Sequence, residues 1–325
     1  MLLYIVILGL ALSHTALSAP EADALNFMVL GDWGGQTFSP YTTTAQRAVA
    51  KVMGVEGTTI GSQFTFALGD NFYSYGVKDV NDKRFKETFE DVFTAPSLQS
   101  MWYVVCGNHD HYGNCSAEIA YTKQSARWYF PNYYYKQEFK IPGSNVSLKV
   151  MFIDTVLLAG LTDPHVRSRL PYGPESFKMA DDQWMWINDT LAEFSKTDGW
   201  TIVVGHYPVW SVAEHGPTQE LVQKLKPMME KYGVSAYYCG HDHNLQHLTD
   251  STIQYYVVGA GHLIDPSLAH MDSVPQDSLK FHYGPTSGSS DKGGFASVSV
   301  TGSDITTNYF DYTGKQVYQN VIKKA

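Results

Sequence analysis

Short apolar runs recur along the chain and predict the strands of a sheet. Seven runs rich in β-branched and aromatic residues cover positions 25–30, 64–68, 101–106, 148–153, 200–204, 234–239 and 253–258. Several are almost continuous rather than alternating, which is typical of strands covered on both faces. Two more runs, 295–300 and 305–312, flank Gly302-Ser303-Asp304 and predict an antiparallel pair near the C-terminus.

Helical patterns lie between these runs, over positions 42–53, 82–93, 181–195 and 218–232. Strand and helix alternation of this kind predicts an α/β fold with crossover connections, and the C-terminal pair makes the sheets mixed. Two segments, 159–176 and 263–291, show no clear pattern and are predicted to be long functional or surface loops.

The first 19 residues carry no charged side chain, have an apolar stretch over positions 2–12 and end in small residues. This pattern predicts a secretory signal peptide at 1–19. Residues 20–325 are predicted to form a single catalytic domain, because α/β folds of this size often form one compact unit. No later stretch holds eighteen uninterrupted apolar residues, so no membrane-spanning helix is expected.

The net charge of −9 argues against nucleic acid or an acidic membrane surface as the main partner. Three sequons, at Asn114, Asn145 and Asn188, become candidate N-glycosylation sites if the chain is exported. We therefore expect a secreted or lysosomal protein, and a monomer.

Three cysteines, Cys106, Cys115 and Cys239, cannot all pair within one chain. Cys106 and Cys239 each end an apolar run, which favours buried, unreactive thiols. A bridge between Cys106 and Cys239 remains open if their strands are neighbours.

Polar clusters follow five of the apolar runs, each with a glycine just ahead of the polar residue. They are Gly31-Asp32-Trp33, Gly69-Asp70-Asn71-Phe72-Tyr73, Gly107-Asn108-His109-Asp110, Gly205-His206-Tyr207 and Gly240-His241-Asp242-His243. Ligands of open α/β sheets bind beyond the carboxyl ends of the strands, so the five clusters are expected to converge. Seven side chains chosen from these clusters, two aspartates, one tyrosine, one asparagine and three histidines, make a ligand set for two metal ions, since oxygen ligands suit hard cations and imidazole suits iron, zinc or manganese.

The order and spacing of these clusters resemble the signature of the purple acid phosphatases, within the calcineurin-like metallophosphoesterases. The stretches GDWGG, LGDNFY, GNHDH, VVGHYPVW, AEHGPT and CGHDHN resemble the small, mammalian-type members in particular. The resemblance implies a four-layer αββα sandwich of two mixed β-sheets flanked by helices. It also implies that one ion is bound by Asp32, Tyr73 and His243, the other by Asn108, His206 and His241, with Asp70 bridging the two.

The ligand charges predict unlike ions. A phenol ionises at acidic pH only against a very strong Lewis acid, which favours Fe(III) beside Tyr73. The other ligands are neutral apart from the shared carboxylate, which suits Fe(II), Zn(II) or Mn(II). The expected reaction is hydrolysis of phosphate monoesters, small or on phosphoproteins, by in-line attack of metal-bound hydroxide on phosphorus.

Two further histidines match positions that the resembling family uses near the substrate, His109 and His215. As imidazolium ions they would hold phosphate oxygens and protonate the leaving alcohol, and Asn108 would take part in catalysis beside them. We expect Asp110 to support a neighbouring imidazole. The remaining singled-out histidines, His111, His247, His262 and His282, are predicted to be polar loop or surface residues.

Four aromatic residues near the clusters, Trp33, Phe72, Tyr207 and Trp210, are predicted to pack in the core. Vertebrate members of the resembling family carry a disulfide near the active site, and Ala159 and Glu220 stand at the corresponding positions here. That bridge is therefore absent. The loop 159–176 that represses activity in relatives is present, with Arg167 and Arg169 as candidate cleavage points.

Two other functions fit parts of the pattern. One is an extracellular protein that binds or transports iron, although the two extra histidines favour turnover. The other is a phosphodiesterase of the same superfamily, which the tyrosine ligand disfavours.

Overall fold

The computed structural model describes residues 23–161, 176–284 and 293–324. The predicted signal peptide at 1–19 lies outside the described residues, as do Arg167 and Arg169 in the 159–176 loop.

Two seven-stranded mixed sheets form the centre of the described structure. In spatial order, the first sheet contains β14 (Gln316–Lys323), β13 (Asp304–Asp311), β12 (Gly294–Val300), β1 (Leu25–Leu30), β2 (Phe64–Ala67), β3 (Met101–Val104) and β4 (Trp128–Tyr129). The second contains β11 (Leu279–His282), β9 (Leu245–Asp250), β10 (Ile253–Val258), β8 (Ala236–Cys239), β7 (Gly199–Val204), β6 (Ser147–Phe152) and β5 (Tyr135–Lys140). β1 to β4 are parallel neighbours, as are β6, β7, β8 and β10.

The two sheets face each other across one apolar core. Alternate residues of the second sheet, such as Val150 and Phe152, enter that core, where the Phe152 ring lies 5.1 Å from the ring of Phe66 on the first sheet. The residues that alternate with these along the strands, such as Met151 on β6 and Val203 on β7, face the opposite side of the sheet and pack in a second cluster under helices. The predicted four-layer arrangement of two mixed sheets flanked by helices is confirmed.

Six α-helices are found among the described residues: α1 (Thr44–Ile60), α2 (Asn108–His111), α3 (Cys115–Tyr121), α4 (Thr155–Ala159), α5 (Phe177–Phe194) and α6 (Lys226–Lys231). α1 runs seven residues past the predicted end at 53, and ends where Gly61 adopts a left-handed φ of 65°. The predicted helices at 82–93 and 218–232 contain π-helical segments, Phe85–Glu90 and Leu221–Leu225. Short 3₁₀ turns occur at Pro96–Leu98 and Met271–Ser273.

Several strands that are polar or lie at a sheet edge were not predicted from the apolar pattern. β5 and β14 are outer strands with many charged and amide side chains, and β9 buries Gln246 and His247. Part of the segment 263–291, predicted to be a loop, forms β11. These strands are held by pairing with apolar neighbours, so their own hydrophobicity did not mark them.

The cysteines pair differently from the predicted pattern. Cys106 and Cys115 form a disulfide, so the prediction of a free Cys106 thiol is wrong, and so is the Cys106–Cys239 alternative. Cys239 is the free, buried cysteine, as predicted. The physical reason is placement, since Cys106 lies in the core between the sheets and Cys239 lies in the outer cluster of the second sheet.

None of the described helices is both long enough and apolar enough to cross a membrane.

Candidate metal centre

The five predicted polar clusters meet at the carboxyl ends of parallel strands. Asp32, Asp70 and Asn108 follow the adjacent strands β1, β2 and β3 of the first sheet, and His206 and His241 follow the adjacent strands β7 and β8 of the second. The facing sheets thus present both sets of side chains to one place. All five of these side chains are buried.

One group of side chains gathers around the phenol of Tyr73. The Tyr73 hydroxyl donates to Asp32 Oδ1 at 2.9 Å and lies 2.9 Å from His243 Nε2. His243 Nε2 is also 3.5 Å from Asp32 Oδ1. Three potential ligand atoms from distant parts of the chain therefore surround one point.

A second group gathers around His206. Its Nδ1 donates to the Leu68 carbonyl at 2.8 Å, and its Nε2 lies 2.9 Å from Asn108 Oδ1. A hydrogen bond from one ring nitrogen to a carbonyl, like that of Nδ1 to Leu68, is the usual way of orienting an imidazole that binds metal through its other nitrogen. Asp70 Oδ1 lies 3.4 Å from the same Nε2.

Asp70 belongs to both groups. Ligand atoms of Asp70, His206 and His241 all lie within 4.8 Å of one another, and those of Asp32, Asp70 and His243 do the same. Two adjoining clusters that share one carboxylate are the arrangement that a bridged pair of cations requires. The oxygen and nitrogen donors suit iron, zinc or manganese, so the residues present fit a dinuclear metal centre.

In the absence of cations, burial and the neighbouring charged groups shift the pKa values of the side chains at the site. Burial, together with Asp32 and Asp70, raises the pKa of Tyr73 well above its usual 10, and burial raises the pKa of Asp32 to about 8. Burial alone would lower the pKa of His206, but Asp70, Asp32 and the Leu68 carbonyl together outweigh burial and raise the pKa to about 9. Packing acidic groups this closely is costly unless positive charge lies among them.

The backbone is also unusual here. Asp32, Asp70 and His241 have positive φ angles of 57°, 51° and 71°, a left-handed conformation that is uncommon for residues other than glycine. Such strain is concentrated at functional sites in folded proteins. Hydrogen bonds to the protein stabilise these turns, including His241 N to Asp32 Oδ2 at 2.8 Å.

The two additional histidines lie beside the clusters. His109 Nδ1 donates to the Ser74 carbonyl at 2.8 Å, and its Nε2 is 4.0 Å from Asp70 Oδ2. The ring of half-buried His215 stacks on that of His241, with centroids 4.1 Å apart.

An open cavity of about 700 Å³ lies beside Tyr73, His243 and His109. Tyr73, His109, His243 and His262 form its inner part, and the segment from Gly35 to Thr44, together with Arg47, forms much of the outer part.

Among the described residues, Asp110 contacts backbone N–H groups rather than an imidazole, which corrects the expectation. Its buried carboxylate accepts backbone N–H groups from Asn71, Phe72 and Gly107 at 2.8–3.1 Å. It therefore ties the loop after β2 to the loop after β3.

The prediction that four aromatic residues near the site pack in the core is confirmed. All four are buried in the hydrophobic clusters: Trp33, Phe72, Tyr207 and Trp210.

The prediction of polar loop or surface positions is wrong for His247, whereas His262 does lie in a loop but is buried. His247 is buried on β9, and His262 is buried against Tyr73 with a ring-centroid distance of 4.3 Å. His111 and His282 are half-buried, on α2 and β11.

Two residues at the site were missed from the sequence. His262 follows the apolar run of β10 in the order Gly259-Ala260-Gly261-His262, the same strand, glycine and polar pattern that marked the other clusters. Asp242 was passed over between two histidines; its Oδ1 accepts from His215 N at 2.8 Å, which holds the loop that carries His215.

Comparisons with known proteins show the family to which the chain belongs. The profile of the family described as calcineurin-like phosphoesterase matches residues 25–245. Tartrate-resistant acid phosphatase type 5 of Oryctolagus cuniculus is 46% identical over 317 residues, which cover 96% of each chain. Purple acid phosphatase 7 of Arabidopsis thaliana is 32% identical over 310 residues, covering 93% of this chain and 87% of the relative.

A solved structure described as GAP50, the anchor in the inner membrane complex of Plasmodium, is similar with a TM-score of 0.76 and 24% identity. The similarity covers 93% of this chain and 89% of that one, and it supports the fold alone.

Proposed function

This chain belongs to the calcineurin-like phosphoesterase family, and we propose that it is a purple acid phosphatase that hydrolyses phosphate monoesters at a dinuclear metal centre. The observation that carries the proposal is the pair of adjoining ligand clusters that share Asp70. The relatives that cover nearly the whole chain are named acid phosphatases, which favours this function over an iron carrier or a phosphodiesterase.

In the proposed assignment, Asp32, Tyr73 and His243 bind one ion, and Asn108, His206 and His241 bind the other. Asp70 bridges both. The short contacts of Tyr73 with Asp32 and His243, and of His206 with Asn108, support this division.

Ligand charge favours unlike ions in the two groups. The pKa of Tyr73 is raised well above 10, so its phenol would bind as phenolate in acid only beside a very strong Lewis acid, which favours Fe(III). The neutral ligands of the other group suit Fe(II), Zn(II) or Mn(II). When bound, the pair supplies a nucleophilic water at acidic pH and neutralises charge on the phosphoryl group.

The protein side chains supply orientation and protons. Because His109 Nδ1 is held by the Ser74 carbonyl, its Nε2 is directed towards Asp70, and His109 itself lines the cavity. We assign to His109 the binding of a phosphate oxygen and to His109 or His215 the proton that the leaving alkoxide takes up as the P–O bond breaks. Asp242 keeps the His215 loop in place through the backbone N–H of His215.

The remaining expectations stay proposals. We infer export to the secreted or lysosomal compartment as a monomer, acting on small phosphomonoesters or phosphoproteins. Of the three sequons, Asn145 is exposed in the loop between β5 and β6, whereas Asn114 caps α3 and Asn188 lies within α5 with its Oδ1 accepting from Tyr232. Asn145 is thus the best placed to carry a glycan.

The test combines kinetics with metal analysis. Protein loaded with iron should hydrolyse an aryl phosphate monoester at acidic pH, prefer it to the matching diester, and absorb visible light. A chelator that strips the metal should abolish hydrolysis, and added iron with zinc should restore it. Fully loaded protein without acid hydrolysis, or with a preference for the diester, would refute the proposal.

A further inference from the structure

His262 lies at the inner end of the cavity but belongs to neither ligand group. It follows β10 and is only 7% exposed. Thr43, the residue that caps α1, donates from Oγ1 to the His262 carbonyl at 3.2 Å. The backbone of His262 is thereby tied to the start of a long helix, which gives its side chain a fixed base.

The imidazole of His262 contacts all three residues that are specific to one ligand group. Its Nδ1 lies 2.7 Å from the backbone oxygen of Asp32. Its ring centroid lies 4.3 Å from that of Tyr73, at an interplanar angle of 33°, and 5.0 Å from that of His243 at 83°. Among the described residues, no hydrogen bond or ring contact joins His262 to Asn108, His206 or His241.

The hydrogen bond has a definite direction. A carbonyl oxygen can only accept, so His262 Nδ1 carries the proton and donates to Asp32. Asp32 has a φ of 57°, a left-handed conformation that is strained for a residue with a side chain. The donor therefore stabilises the turn that aims the Asp32 carboxylate at the site.

The ring contact acts on Tyr73. A phenol side chain turns about two bonds, and a ring packed at 4.3 Å restricts both. Resting on the proposed function, we propose that His262 is a positioning residue that fixes the phenol ring of Tyr73 and the backbone of Asp32, and with them the geometry of the phenolate-bound ion. The absorption of a metal phenolate depends on how the ring is oriented, so this role has an optical readout that a purely structural residue lacks.

The experiment compares ring and donor separately in iron-loaded full-length protein. His262→Asn removes the ring and keeps a side-chain amide, and His262→Phe keeps a ring and removes the donor. His282→Asn is the matched control, because His282 is half-buried on β11 outside the cavity. For each variant the visible spectrum, iron content, kcat and KM for an aryl phosphate are measured.

We expect the band of His262→Asn to move and its kcat to fall roughly 10- to 100-fold, the usual effect of losing a group that orients a metal ligand, with KM less affected. His262→Phe should keep its band closer to the wild-type position than His262→Asn does. His282→Asn should match the wild type in band and kcat.

The outcomes separate this inference from the proposed function. A wild-type band that every His262 variant shares, with unchanged kcat, overturns the role of His262 alone. A wild-type protein without any visible band overturns the proposed function and the inference with it. If His262→Asn does not fold by circular dichroism, His262→Leu replaces it as the ringless variant, and a band unchanged from the wild type in that variant would count against the proposal.

Discussion

A buried histidine that is not among the proposed metal ligands should limit the stability of this protein in acid. His247 lies on β9 and is 1% exposed. Its Nε2 lies 2.9 Å from Gln254 Oε1, which accepts, and its Nδ1 lies 2.8 Å from the Tyr318 hydroxyl. The ring stacks on Tyr256 with centroids 4.7 Å apart. One donating and one accepting nitrogen suit the neutral imidazole, so a proton would bring an unneeded charge into the sheet.

The magnitude follows from the pKa. Burial lowers the pKa of His247 to about 4, against 6.5 for an unperturbed histidine. The unfolded chain therefore takes up a proton as pH falls through 6.5, and the folded chain does so only near 4. The free energy of unfolding must fall over this interval. At about 1.4 kcal/mol per pH unit, the loss between pH 7.5 and pH 4.5 is roughly 2–3 kcal/mol.

The assay is urea denaturation of wild type and His247→Gln at both pH values. The variant should be less stable at pH 7.5, because it loses the ring packing, but it should lose roughly 2–3 kcal/mol less than the wild type on going to pH 4.5. Other titrating groups, including those of the metal centre, contribute to both proteins and cancel in the difference. Equal losses in the two proteins would refute the reasoning.

Three further changes test the site and its supports. Tyr73→Phe should remove the visible band of the iron-loaded protein, because no phenolate remains; a surviving band in the absorption spectrum would contradict the ligand assignment. Asp110→Asn should lower the free energy of unfolding by about 2–3 kcal/mol, since an amide NH₂ would replace an oxygen that accepts buried backbone N–H groups. Urea denaturation measures this loss, and a loss under about 0.5 kcal/mol would speak against the role of Asp110 in joining the two loops. Cys115→Ser removes the disulfide to Cys106, whose sequence separation is 9, and should lower the free energy of unfolding by about 2–3 kcal/mol through loop entropy. Thermal denaturation without reductant tests this, and a melting temperature equal to that of the wild type would contradict the prediction.

Much of the fold and most of the candidate site could be predicted from local sequence. The first strand, β1, occupies Leu25–Leu30, the predicted positions 25–30, because a continuous apolar run marks a buried parallel strand by itself. The polar residues after a glycine, such as Asp32 and His206, could be placed at strand ends for the same reason. Convergence then followed from a general rule about the carboxyl ends of parallel strands.

Other features depended on segments far apart in the chain. Cys106 was expected to be a free thiol, and only the path of the chain into α3 brings Cys115 to it. His247 reads as a polar residue in a polar stretch, yet it is buried because Tyr318 and Tyr256 from other strands enclose it.

The sequence by itself determined the apolar strands, the glycine turns and the chemical types of the side chains at their ends, because each of these depends on near neighbours along the chain. Only the tertiary structure decided which polar residues are buried and what they contact, as with His262, whose partner Asp32 is 230 positions away. The physical reason is that burial and hydrogen-bond partners are set by which faces of the two sheets meet, and this is a property of the packed chain as a whole.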